Sequence, residues 1–213
     1  LGLKWVFIDY EPIVKPLYQS QNMSQYNDFS HRAVSLPHVQ DFFAVHQLKK
    51  NEIIENTAIF VPGHSGDFLA GSHLSKLECS NKIVNKQEVI NITLKKHYNL
   101  FELNKVQEDV YSKKIDRSLA QVPKAGDNSS ILDCWNWQER QAKFIVNSCR
   151  GYEFFDYEWH CPLWDREIME YFKILPLHYR QNRWLYNGYI DRVYQKITLN
   201  QTIPGIKLTT KKT

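Results

Sequence analysis

The chain has 213 residues, 43% of them hydrophobic, enough to bury a sizeable core in one domain. Its 27 basic and 23 acidic side chains leave a net charge of only +4, and the basic ones are scattered rather than striped, which argues against nucleic-acid binding. No run approaches the roughly 18 apolar residues of a membrane helix, and the start has no basic-then-apolar signal layout.

Taken in order, Leu1-Gly2-Leu3 reads as the tail of a helix with a glycine stop, and Lys4 to Tyr10 as a buried strand. There is no initiator methionine. A polar, tyrosine-rich connection leads to Leu36-Pro37, which opens a helix with Val39, Phe42, Phe43 and His46 three or four apart. Ile53 to Phe60 is expected to carry the chain into an interior strand. Further on, helices are predicted around Lys86 to Leu94 and Leu103 to Ile115, with a polar break at Asp127 to Ser130. Helix then dominates. Trp137 to Cys149 sets Arg140, Phe144 and Asn147 along one face, and Arg166 to Lys173 is amphipathic behind an Asp165 cap. Lys207 to Thr213 reads as a frayed basic tail. The sum predicts an α/β fold, a mostly parallel sheet flanked by helices with a helix-rich C-terminal half, divided into a part over 1–76 and a mainly helical part over 77–213.

The most informative segment runs from Ala58 to His73. An apolar run empties into a loop with three glycines, Gly63, Gly66 and Gly71, that also carries His64, Ser65 and Asp67. Glycines let backbone N–H groups approach an anion, and an isolated carboxylate can hold a divalent cation already bound to phosphates. An ordinary strand-to-helix turn capped by Ser65 or Asp67 is the alternative.

A second segment, Gly151 to Phe172 followed by Ile174-Leu175-Pro176, contains Tyr157-Glu158-Trp159-His160-Cys161-Pro162-Leu163-Trp164-Asp165. Together the two segments resemble the synthetase domain of the asparagine synthetase family, with its G-E-G-[SA]-D-E-x-x-G-G-Y and E-x-R-x-P-F-L-D motifs. Gly63, Asp67 and Gly71 fall on the first motif; Glu158, Pro162, Leu163 and Asp165 fall on the second. The resemblance runs from about Leu1 to about Ile190 and is thinnest between Leu77 and Ile131. In that family a pyrophosphate-binding loop stands just upstream of the point matched by Leu1, so the resemblance implies that the chain is a fragment of a longer protein.

The resemblance implies an ATP-dependent, amide-forming ligase: a carboxylate attacks the α-phosphate, magnesium pyrophosphate leaves, and an amine or ammonia displaces AMP. It implies ATP and Mg2+ as cofactors, Asp67 as metal ligand, and Gly63, Ser65 and Gly66 facing the nucleotide. Arg180 or Arg183, beyond the Leu175-Pro176 break, falls near the family's lysine, and Arg183 is taken as the nucleotide contact. A glutaminase domain or subunit is the implied nitrogen source. The chain departs from the asparagine synthetase pattern at His64, Phe68 and His160, where the family has two acids and an arginine, which puts asparagine itself in doubt as product. In the related β-lactam synthetases the position of His64 holds a tyrosine that works with the glutamate matched by Glu158, so a His64–Glu158 pair is the candidate base. The alternative is that His64 only fills the loop.

Other features carry less. Cys79, Cys134, Cys149 and Cys161 lie far apart without a Cys-x-x-Cys pair, so neither a zinc site nor a disulfide framework is indicated, and reduced thiols in the cytosol are the simple expectation. The six tryptophans and twelve tyrosines read as core. His73 shows no metal-ligand spacing, and Glu139-Arg140 reads as an ion pair behind the site. A second class of function, a non-catalytic binding or assembly module that keeps the fold, stands beside the ligase.

Overall fold

In the computed structural model, residues 3–31, 35–74, 85–120 and 128–198 are described. They form a mostly helical protein, and the expected sheet-dominated α/β fold does not occur. Helices α1 (Glu11–Tyr18), α2 (Gln21–His31) and α3 (Gln40–Lys50) precede strand β1 (Ile59–Phe60) and a short helix α4 (Gly66–Leu69). Next come α5 (Lys86–His97), α6 (Lys105–Leu119) and α7 (Asn128–Trp135). α7 runs directly into a π-helical segment, Asn136–Ile145, and a 3₁₀ turn, Val146–Cys149. The chain closes through α8 (Arg150–Phe154), strand β2 (Glu158–Trp159), α9 (Arg166–Ile174), α10 (Leu177–Arg180) and α11 (Trp184–Ile197).

The sheet among these residues is one parallel pair, Ile59 opposite Glu158 and Phe60 opposite Trp159, extended by the His160 amide donating to the Phe60 carbonyl at 2.8 Å. The physical reason for the missing sheet lies in the segments expected to build it. Lys4 to Tyr10 has no strand partner among the described residues, and its Trp5 and Phe7 side chains are exposed. An unpaired strand leaves its amides unsatisfied and does not persist alone. Ile53 to Phe60 is broken by a turn in which the Ala58 amide bonds the Glu55 carbonyl, leaving two residues for β1. Ile59 is 58% exposed, so β1 is not an interior strand.

The helical expectations fare differently. α3 buries Phe42, Phe43 and Val45. α5 and α6 each begin with a capping box, Asn85 with Glu88 and Asn104 with Gln107, which satisfies two of the first-turn donors at each end. α9 starts where the Asp165 carboxylate accepts from the Glu167 and Ile168 amides at 2.8 and 3.4 Å.

Three apolar clusters hold the elements together. The first joins α2, α3 and α8 through Met23, Tyr26, Phe42, Phe43, Val45, Cys149, Tyr152 and Phe155, with Tyr157 just before β2. Residues on both sides of position 76 therefore share one core. Its rings pack closely, Tyr26 against Phe42 at 4.8 Å and Phe60 stacked on Tyr152 at 4.5 Å between centroids. Burial pushes the Tyr26 phenol up to about 12. The second cluster is made by α5, α6 and α7, and the third by Phe68, Leu69 and Met169 of α4 and α9. Among the described residues no helix is long and apolar enough to cross a membrane.

Candidate functional site

The parallel pair does one thing for function. It sets the Ala58 to His73 segment beside the Tyr157 to Asp165 segment, two stretches far apart in sequence. β1 ends, Pro62-Gly63 follows, and the chain turns through Ser65 into α4. Ser65 has φ 67°, a left-handed conformation that a non-glycine residue adopts only under local constraint. Here the constraint is visible: the buried Ser65 hydroxyl donates to Gln141 Oε1 at 3.0 Å.

That contact depends on the π-helical segment. A π turn brings residues i and i+5 onto one face, and Gln141 Nε2 donates to Asn136 Oδ1 at 3.1 Å along it. Gln141 is fully buried, so the ladder Asn136–Gln141–Ser65 is a satisfied polar spine under the loop. The single helical face expected from Trp137 to Cys149 is divided by this geometry. Arg140 reaches toward His73, while the Phe144 ring meets His38 and Asn147 Nδ2 donates to Ser35 at 3.2 Å.

The expected ligand-facing residues sort accordingly. A Cβ on Gly63 would meet nothing, so that position is open. Gly66 is buried, and a Cβ there would stand 2.9 Å from Leu163 Cδ1, which makes it a packing position for the second segment. Ser65 likewise points inward. Arg183 is exposed at the start of α11, with φ 58°. The cation that touches the loop is Arg180, which the sequence offered as the other choice. Its guanidinium is buried, bonds the Leu69 and Phe68 carbonyls at 3.3 and 3.4 Å, and pairs with Asp133 at 2.5 Å. Its backbone carbonyl lies where a Cβ on Gly71 would come within 2.5 Å, and Gly71 has φ +79°. Both facts require glycine there.

Asp67 lies at the exposed rim. One carboxylate oxygen accepts from His73 Nε2 at 2.9 Å and the other from the Phe68 amide at 2.8 Å. Arg140 Nη1 lies 3.4 Å from the same His73 nitrogen, and Lys96 donates to the His73 carbonyl. The His73 hydrogen bond first, then the Phe68 amide and the Arg140 charge, hold the Asp67 carboxyl below its ordinary range against the cost of burial. Over half of the Asp67 side chain is open, at 55%. One ionised carboxylate flanked by cationic groups suits a magnesium ion carried on phosphates, which takes one or two protein carboxylates and completes its shell from the substrate. His73 and Arg140 are the residues the sequence reading set aside. Arg140 is not the partner of Glu139, which pairs instead with Lys143 at 2.5 Å.

His64 and Glu158 are not joined. Glu158 is exposed on β2, and its side chain makes no hydrogen bond or ion pair among the described residues. The carboxylate beside His64 is Asp41 of α3, with Oδ2 3.7 Å from His64 Nε2, an ion-pair contact longer than a hydrogen bond. His64, opposed by burial and helped by the Tyr152 hydroxyl at 2.9 Å, holds the Asp41 carboxyl below its usual range. The other ring nitrogen, Nδ1, is 3.4 Å from Ser148 Oγ and 3.5 Å from Cys149 Sγ. Cys161 Sγ is close by: the ligand atoms of His64, Cys149 and Cys161 all lie within 4.8 Å of one another. The spacing of the cysteines gave no sign of this, because the 3₁₀ turn and the β1–β2 pairing bring them together. Cys149 is no nucleophile. It is fully buried, and desolvation pushes its thiol far up.

No protein-family model, curated protein or solved structure matches the chain.

Proposed function

We propose that the chain belongs to an ATP-dependent, amide-forming ligase of the asparagine synthetase type, which activates a small-molecule carboxylate as its adenylate and passes it to an amine or ammonia. The reading is supported above all by the in-register pairing of β1 with β2, which sets the two motif segments side by side. The Asp67–His73–Arg140 cluster at the rim of that pair meets the demand of departing pyrophosphate for a metal-holding carboxylate and a cation, Arg140. Magnesium on the nucleotide supplies Lewis-acid charge neutralisation when bound. Asp67 holds it, His73 keeps Asp67 ionised and oriented, and Arg140 faces the phosphates. Glu158, exposed and uncommitted, is the carboxylate available to take a proton from the incoming amine. His64 has both ring nitrogens turned to protein groups and is given no proton-transfer role. Nitrogen comes as free ammonia, from an amine, or from a glutaminase partner. The setting is cytosolic, in keeping with cysteines that are free thiols among the described residues.

A non-catalytic module is favoured by one observation. Two surface clefts, one between α5 and α6 and one beside α2 and Pro37, lie away from the loop. The two readings separate in carboxylate-dependent ATP–pyrophosphate exchange by the whole open reading frame that encodes this chain. Exchange with at least one carboxylate of a panel, falling roughly 10²-fold or more in Asp67→Asn with unfolding midpoint preserved, supports the ligase. Full exchange by Asp67→Asn removes Asp67 from the metal site. Absence of exchange and of nucleotide binding across the panel leaves the module.

A further inference from the structure

We propose that His64, Cys149 and Cys161 form a zinc site that clips the glycine loop to the 3₁₀ turn and to the segment after β2. The argument begins with distance. Zinc bonds thiolate sulfur at about 2.3 Å and histidine nitrogen at about 2.0–2.1 Å, so in a tetrahedral shell a nitrogen and a sulfur ligand stand roughly 3.5 Å apart. His64 Nδ1 and Cys149 Sγ stand 3.5 Å apart, and one ligand atom from each of His64, Cys149 and Cys161 lies within 4.8 Å of the others. The cluster needs only a small contraction to close on an ion.

Orientation agrees. A ligating histidine ordinarily turns its other ring nitrogen to a carboxylate, which fixes the tautomer and raises ligand basicity. Asp41 stands in that place, 3.7 Å from His64 Nε2, and is itself fixed by the Tyr152 hydroxyl. Thus Nδ1 is left for the metal.

Charge is the third point. Binding replaces two S–H protons, released to solvent, with one Zn2+, so the set of one neutral imidazole, two thiolates and the ion has no net charge. A neutral assembly tolerates burial where a lone thiolate does not, and Cys149 and Cys161 are both buried. Thiolate and imidazole ligands in a tetrahedral arrangement select zinc over magnesium or calcium, whose ligands are oxygen. Three protein ligands leave the fourth position to water on the His64 side, where the side chain is 19% exposed. The site is separate from the Asp67 rim, and its metal content is read without any nucleotide.

The experiment is metal titration of the whole chain, purified reduced and stripped of metal. Zinc is expected to bind one per chain by elemental analysis and to release two protons in weak buffer. Cobalt(II) should give the intense visible bands of a tetrahedral centre together with thiolate-to-cobalt charge transfer. Asp41→Asn should weaken zinc binding 10- to 100-fold without changing the stoichiometry. Cys149→Ser and Cys161→Ser should each remove the charge-transfer signal, while Cys134→Ser keeps it. Because Cys149 is fully buried and a serine there can unfold the chain, the cobalt spectrum and proton count of the unmutated chain decide alone. Octahedral cobalt, proton release near zero, or zinc still bound by the Cys149→Ser/Cys161→Ser double variant overturns the site. So does a Cys149–Cys161 disulfide, detected by mass, that persists under reductant.

Discussion

Arg180→Met tests how the loop is held. The substitution keeps an apolar stem and removes a guanidinium that bonds two α4 carbonyls and Asp133. The two side chains of the ion pair are 10% and 18% exposed, so the pair is largely buried. Truncating one partner of a buried pair costs about 3–5 kcal/mol, because the other charge stays desolvated. Asp133 keeps some access to water, which places the expected loss near the lower limit, about 3 kcal/mol. For a chain of this size a loss of 1 kcal/mol lowers Tm by roughly 2–4 °C, so Tm should fall by roughly 6–12 °C. Urea unfolding followed by circular dichroism measures the same quantity at constant temperature. Asp133→Asn should be destabilising on its own, and the double variant should lose markedly less than the sum, since each single change already breaks the pair. Arg180→Lys should not rescue fully, because an ammonium cannot reach both carbonyls and the carboxylate from one plane. A loss below about 1 kcal/mol in Arg180→Met, the size of an exposed pair, would refute the reasoning and make Arg180 a solvated cation.

Two further predictions concern stability. Gly71→Ala should cost more than about 2 kcal/mol, since the left-handed conformation alone costs an alanine roughly 1–2 kcal/mol and its Cβ would press on the Arg180 carbonyl; an unchanged urea midpoint would contradict this. Stability should also fall as the solution is acidified from neutrality. Burial lowers the pKa of His38 and His46, so below about 6.5 the unfolded rings take up protons that the folded rings refuse. Asp41 and Asp67, also lowered in the fold, add a second loss as pH drops below about 4. Tm measured between pH 8 and pH 3 should decline in those two windows, and a Tm that rises between pH 7 and pH 5 would contradict the first.

Local signals were legible and long-range ones were not. The Leu36-Pro37 opening, the Asp165 cap and the Leu175-Pro176 break all act within a few residues, and α3 and α9 form where they direct. The strand signals at Lys4 to Tyr10 and Ile53 to Phe60 are equally clear as composition. A strand, however, is stabilised only by a partner elsewhere in the chain, and composition cannot supply one. The first segment has none among the described residues, and the second keeps two residues.

The same distinction explains the site. Asp67 was legible as an isolated acid after glycines, but its partner His73 lies beyond a turn that depends on Gly71 adopting φ +79°. Arg140 was placed on a regular helical face, and an α-helical repeat of 3.6 residues would have kept it beside Phe144 and Asn147. The π-helical segment instead stacks Asn136 on Gln141, turns Arg140 toward His73, and delivers Ser148 and Cys149 to His64 through the 3₁₀ turn that follows. A wider turn of this kind costs backbone regularity and recurs at functional positions. Its retention here is balanced by the Gln141–Ser65 bond and by the side chains it brings under the loop. Residues assigned to one regular face of this stretch were therefore misplaced together, and those missed meet at two places, His73 beside Arg140 and Asp67, and Asp41 with the two buried cysteines around His64.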